Sequence, residues 1–401
     1  MVSDIGGTTT DVALLRGGLP EIDPQGARVG GFRTMVEAVA MRTTGLGGDS
    51  EVHLITEGLE GGLRLGPRRM IPISLLAVEQ GAWVHTALDK ALASDVVGEH
   101  DGRFVLPMFG QTAGISPREA QVLARITAPM PMSAALTSRL EFAALERLVA
   151  RGLVMIAGVT PSDASHVLGR LDAWDGVAAE KAVRLLARRR NGRGDRFAPD
   201  AATLAQAIVD QLTAQTVECL LEAAFGEDAA FAGESPESLA RHPLLKAGLD
   251  GHKGVMHLTA RLGVPVIGLG ASAPCYYGAV GARLGCQMIL PEHAGVANAI
   301  GAVVGQISQR ASALISSPGE GRFTAHLPDG LQHFIDRETA FAAVEAALIA
   351  SATTLARTAG AQDLRITTSR DIREAAIEGR AMFIEATITA TASGRPRVAH
   401  K

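Results

Sequence analysis

Apolar and polar positions alternate in short runs over the first third of the chain and then change to a helical period. Between residues 1 and about 128, short strands are expected at Met1–Asp4, Asp11–Leu15, Ala27–Arg33, His53–Ile55 and Arg103–Pro107, with Ile71–Val78 as another. A short helix or irregular turn is expected over Met35–Arg42. From about 129 to 260 apolar residues recur three and four apart, as in Leu140, Ala144, Leu145, Leu148 and Val149, which predicts a mainly helical section. Thr160-Pro161-Ser162-Asp163 and Ser235-Pro236-Glu237 read as helix starts, a hydroxyl cap followed by proline at the first helical position. Residues 261–315 return to strand (Val264–Gly268), loop, helix (Gly278–Leu284) and strand (Gln287–Leu290), and a helix of small residues is expected over Ala294–Ile307. The section 316–401 reads as a small α/β region, with a helix over Arg337–Ala359 and strands at Gly321–His326, Leu364–Ile372 and Met382–Ala392. The fold class is therefore α/β, in sections 1–128, 129–260, 261–315 and 316–401.

The first break in the pattern carries the chemistry. Asp4-Ile5-Gly6-Gly7-Thr8-Thr9-Thr10-Asp11 lies between two apolar runs and reads as a hairpin that grips phosphate. Gly6 and Gly7 tolerate a sharp reversal and bare the backbone, whose successive N–H groups form an anion nest. Thr8, Thr9 and Thr10 add hydroxyl donors, and Asp4 and Asp11 offer hard oxygens to a phosphate-bound Mg²⁺. An ordinary Gly-Gly hairpin with an Asp cap is the plainer alternative.

Composition sets the surroundings. The 401 residues are 47% hydrophobic and 20% charged with a net charge of −4, enough for two or three packed units and unlike a disordered chain. Cys219, Cys275 and Cys286 have no zinc or disulfide spacing, which fits a reducing, cytoplasmic setting with the thiols as small apolar fillers. The start lacks a signal-peptide pattern, so no export is expected. Residues 262–282 carry no charge, but Pro265, Pro274 and the glycines argue for a buried strand and loop over a membrane span. The arginine cluster at 188–196 lacks interleaved aromatic residues, so a solvated helix end is expected and nucleic acid is not.

The hairpin resembles the phosphate loop of the actin, sugar-kinase and Hsp70 ATPase superfamily and, more narrowly, the hydantoinase A/oxoprolinase family. Four further segments carry the narrower resemblance in order: Thr43–Ser50, Gly158–Ala164, Gly268–Pro274 and Pro291–Gly301. The resemblance implies an actin-like (ribonuclease H-like) nucleotide-binding lobe with a helical insertion. It implies ATP and Mg²⁺ as cofactors, with Asp4 and Asp11 catalytic and metal-binding. It assigns Gly6, Gly7, Thr8, Thr9, Thr10, Gly47, Gly48, Asp49, Ser50, Gly268, Gly270 and Ala271 to nucleotide, and His293 and Asn298 to substrate. Asp49 stands where the family commonly has glycine; it could bind a metal or a substrate amine, or cap the next element.

The activity implied is ATP-dependent opening of a cyclic amide, such as a hydantoin or 5-oxoproline, through phosphorylation of its carbonyl oxygen; ketone activation as in acetone carboxylase relatives is the variant. Only one Asp-x-Gly-Gly-Thr run occurs, whereas the superfamily closes two such hairpins on ATP. The expectation is a fragment or split-gene product that needs an upstream lobe or a second, B-type subunit. A non-catalytic nucleotide-binding or assembly subunit is the rival, and an actin-like sugar kinase is less favoured because no sugar-contacting segment is matched.

Overall fold

A computed structural model describes the chain except residues 24–27, 30–31, 34–37, 58–60, 320, 328, 378–379 and 398–401. The expected elements at Met35–Arg42 and Ala27–Arg33 therefore lie partly outside the described residues; short strands occupy Arg28–Val29, Phe32–Arg33 and Ala38–Val39. The fold is mixed α/β and falls into two compact units, 1–296 and 297–401.

The first unit is organised around Val2–Ile5. This strand pairs antiparallel with Thr10–Ala13, as the apolar runs flanking the glycines require, and parallel with Val266–Leu269. It thus sits inside a seven-stranded sheet, ordered Met288–Ile289, Val266–Leu269, Val2–Ile5, Thr10–Ala13, Arg42–Thr44, Arg28–Val29, Phe32–Arg33. Ser3, Ile5, Thr10 and Val12 are buried, so the alternate residues, Asp4 and Asp11 among them, share the opposite face. The charge-free run 262–282 resolves into the strand Val266–Leu269, a glycine loop and the helix Tyr277–Leu284.

A second sheet, ordered Ile71–Pro72, Val154–Gly158, Phe104–Pro107, Met130–Pro131, carries the loop that leads into Pro161–Val167. Helices Ile73–Ala93, Gly176–Ala187 and Ala201–Glu227 pack around that short helix and on one another. Their buried stripes are rich in alanine, for example Ala178, Ala179, Ala182, Ala201 and Ala205, which lets the backbones approach closely. Thr160 caps Pro161–Val167 through a capping box with Asp163, and Ser235 caps Pro236–Ala240, as the hydroxyl-proline pairs predict.

The expected strand Ile71–Val78 is corrected: only Ile71–Pro72 is strand, and a helix begins at Ile73. A short continuous apolar run has no period to separate the two, and the buried positions Ile73, Leu76, Ala77, Val84 and Leu88 show the helical spacing only over a longer window. The expected helix Ala294–Ile307 is shorter, a 3₁₀ turn at Ala294–Val296 and an α-helix at Ala297–Val304, with strand from Ile307.

The second unit is a five-stranded sheet, ordered Gly330–Phe334, Arg322–Leu327, Ile307–Gly319, Arg380–Pro396, Ala361–Ile377, packed against the helix Arg337–Thr358. That helix is long and apolar enough by length and composition to cross a membrane. Its Phe341, Val344, Leu348, Ala352 and Ala356 are instead buried with Ile315, Ile388 and Ala390 of the sheet, the stripe of a core helix.

Candidate functional site

The hairpin turn is built with donors to spare. The Gly6 amide donates to Thr9 O at 2.9 Å and closes the turn, while the amides of Gly7, Thr8 and Thr9 donate to no protein acceptor among the described residues. Three consecutive free amides at a solvent-accessible turn form a concave set of donors suited to an anion. Thr8 is exposed beside them.

Asp4 and Asp11 lie directly opposite one another across the antiparallel pair, on one face, and Thr43 continues the row on the next strand. Residues paired this way bring their Cβ atoms to about 5 Å. Thr43 Oγ1 donates to Asp11 Oδ1 at 2.6 Å and Thr9 Oγ1 to Asp11 Oδ2 at 3.3 Å, so Asp11 is oriented while Asp4 has no internal hydrogen-bond partner among the described residues. No group of three or more His, Cys, Asp or Glu side chains that could hold a metal occurs among the described residues.

The Gly45–Ser50 loop is laid against the hairpin by main-chain bonds. Gly48 N donates to Gly6 O at 3.1 Å and Asp49 N to Gly7 O at 2.8 Å; Thr10 Oγ1 donates to Leu46 O at 2.8 Å. Thr10 is thereby buried and turned away from the nest, unlike Thr8 and Thr9. Gly47 N is held by Ser50 Oγ at 2.8 Å. A Cβ on Gly47 would stand 2.5 Å from both Gly6 O and Gly7 O, and one on Gly7 would stand 2.4 Å from Asp49 Oδ2. These two glycines are required by loop-on-loop packing, a reason that the repeat of glycines did not reveal. Gly47→Ala is expected to cost about 1–3 kcal/mol by overpacking and to push the nest out of shape; unchanged thermal stability and nucleotide affinity would contradict this packing account.

Asp49 is committed to the protein. Its Oδ2 accepts from Arg69 Nε and Nη2, both at 3.3 Å, and its Oδ1 from Ser162 Oγ at 3.4 Å. Burial pushes its pKa up, and Arg69 opposes that shift. Ser162 in turn bonds Gly48 O through both its amide (2.8 Å) and its hydroxyl (2.9 Å). The Thr160–Asp163 segment thus braces the glycine loop. Sequence reading named neither Ser162, Arg69 nor Thr43 as site residues; their roles depend on register and on long-range packing.

The Gly268–Pro274 loop joins the same cluster. Gly270 adopts φ +111°, and a Cβ there would fall 2.0 Å from Ile5 O; its amide donates to Ala294 O at 2.9 Å. Gly268 is buried under the Tyr277 ring, whose hydroxyl donates to Ser3 Oγ at 2.7 Å. Packing explains both glycines, and Ala271 is the exposed member of the trio. The Gly158–Ala164, Gly268–Pro274 and Pro291–Val296 segments therefore converge on the hairpin and its glycine loop. His293 is exposed in the first unit and Asn298 exposed in the second, so no single unit brings them together.

The comparisons bear on the N-terminal segment. Residues 1–78, which contain the hairpin and the glycine loop, match the model of the hydantoinase/oxoprolinase family, Hydantoinase_A. A solved nucleotide-free structure of acetone carboxylase, from work on ATP-dependent acetone carboxylation, is similar with a TM-score of 0.46 and 15% identity. The match covers 99% of this chain and 46% of that one, so this chain spans less than half the length of that neighbour. No curated protein matches the chain. Over its hairpin and glycine loop, residues 1–78, the chain is similar to the hydantoinase/oxoprolinase family.

Proposed function

We propose that the chain supplies one phosphate-binding lobe, of actin-like type, to an enzyme that uses ATP to activate the carbonyl oxygen of a cyclic amide. The observation that carries this reading is the nest of free amides at Gly7–Thr9 beside the paired carboxylates of Asp4 and Asp11. The family match over residues 1–78 supports the same class of chemistry.

Amide resonance makes a lactam a poor electrophile. Moving the γ-phosphoryl of ATP to the amide oxygen, with ADP leaving, gives an imidate-type phosphate; water adds at that carbon, the ring C–N bond breaks with the nitrogen leaving as the protonated amine, and a second water hydrolyses the resulting acyl phosphate to carboxylate and phosphate. The protein's part in such a reaction is positioning and charge stabilisation. The Gly7, Thr8 and Thr9 amides and the Thr8 hydroxyl would hold phosphate oxygens. Two carboxylates without a third protein ligand suit Mg²⁺, which takes one or two carboxylates and fills its shell with phosphate oxygens and water. Asp4 and Asp11 would hold it, and it would offset phosphate charge. A ketone acceptor would use the same phosphate machinery, so the acetone-type reaction is the second reading. The single acidic glycine hairpin in the sequence supports a need for a second lobe from another segment or subunit.

Titration calorimetry with ATP, with and without Mg²⁺ and with and without a candidate partner lobe, tests the proposal. Saturable, Mg²⁺-dependent binding that weakens in Asp4→Ala is expected. No binding under any of these conditions would replace the enzyme reading with an assembly role.

A further inference from the structure

A second concave site lies in the first unit, apart from the hairpin. The strand Ser50–Ile55, the turn before Phe104–Pro107 and the helix Gly176–Ala187 line a cavity of about 160 Å³. At ~10–15 Å³ for each water-sized position, it has room for on the order of ten non-hydrogen atoms. Val52, Leu54 and Leu186 give it apolar walls, and Arg103, Arg189 and His53 add polar groups.

The charges there are unevenly spent. Glu51 is shared by Arg103 at 2.9 Å, His53 at 3.6 Å and Arg68 at 3.7 Å, and Arg68 also forks onto Glu146. Asp101 accepts from Gly98 N at 2.7 Å. Arg189 is half-buried, donates to the Glu99 carbonyl, and has no carboxylate within ion-pair distance among the described residues. Burial and then the neighbouring Arg103 pull its pKa down, while Glu99 and Asp101 partly oppose the shift. Burial likewise lowers the His53 pKa; Glu51 opposes this and Arg64, Arg103 and Arg68 reinforce it. A largely polar pocket with apolar patches at Val52, Leu54 and Leu186, and with a guanidinium that has no ion-pair partner among the described residues, suits an anion. The nearby Glu51 and Asp101 disfavour a second negative charge on it.

We propose that this cavity binds a small organic monocarboxylate, its carboxylate on Arg189 and its apolar body against Val52, Leu54 and Leu186. The site is independent of the nucleotide reading, because none of the hairpin residues lines it.

Calorimetry on the full chain with benzoate, benzamide and inorganic phosphate decides the matter without an activity assay. Benzoate is expected to bind saturably, with benzamide and phosphate each at least tenfold weaker. Arg189→Gln should weaken benzoate at least tenfold, and Arg189→Lys should keep part of the affinity; thermal melts verify that both variants fold. Absence of saturable benzoate binding, equal binding of benzamide or phosphate, or unchanged affinity in folded Arg189→Gln would each overturn the proposal.

Discussion

Replacing Asp4 or Asp11 by alanine is expected to lower ATP turnover of the assembled enzyme by about 10²–10³-fold, the scale on which single charge-stabilising groups act. The expectation follows from register: the two carboxylates are direct cross-strand partners on the exposed face of the hairpin. Asp11 is the more constrained of the two, since Thr43 and Thr9 hydroxyls both donate to it. Thr43→Val, which keeps the shape and removes the 2.6 Å bond, should therefore give a loss of about 10–100-fold, in line with about 1.5–3 kcal/mol for a hydrogen bond to a charged group. Phosphate release by purified variants measures this directly. Near-wild-type hydrolysis in Asp4→Ala and Asp11→Ala would remove both residues from the mechanism.

The second large effect is on stability. Asp163→Ala is expected to destabilise the first unit by on the order of 3 kcal/mol or more, since each buried donor left unpaired costs about 1–3 kcal/mol. The Asp163 carboxylate is fully buried and accepts five hydrogen bonds: Ser74 Oγ at 2.6 Å, Ser74 N at 2.8 Å, Thr160 N and Oγ at 3.0 Å each, and Ile73 N at 3.2 Å. Burial pushes its pKa up, and these donors oppose the rise. The side chain caps two helices at once, its own and Ile73–Ala93, whose preceding Pro72 offers no side-chain bond. Asp163→Asn should also destabilise, because one amide NH₂ would face a donor. A denaturant midpoint unchanged in Asp163→Ala would show that the five bonds contribute little.

The hairpin was legible because its signals are local. Two glycines between apolar runs leave few alternatives to a reversal, and the structure places Val2–Ile5 and Thr10–Ala13 as those runs imply. Helix starts at Thr160 and Ser235 were legible for the same reason. Ile73–Ala93 was not, since its cap is supplied by Asp163, 89 residues from Ser74, and no neighbouring residue announces it. The partition of the three threonines was also hidden. Thr10 points into the core at Leu46 while Thr9 turns to Asp11, a distinction made by strand alternation and loop packing. Asp49 likewise had several readings until Arg69, 20 residues on, and Ser162, 113 residues on, were seen beside it.

The parallel pairing of Val2–Ile5 with Val266–Leu269 has a consequence for how the protein is made. Contacts such as Met1 to Pro265 span 264 residues, and at the usual synthesis rate of about 5–20 residues per second the inner strand waits on the order of tens of seconds for its neighbour. During that interval the strand has only its hairpin partner Thr10–Ala13, which is itself extended by Arg42–Thr44, and its other edge stays open. Gly270, which seats against Ile5, arrives later still. The second edge of this strand is thus filled among the last parts of the first unit to emerge from the ribosome, and the nascent chain carries an unpaired apolar edge until then.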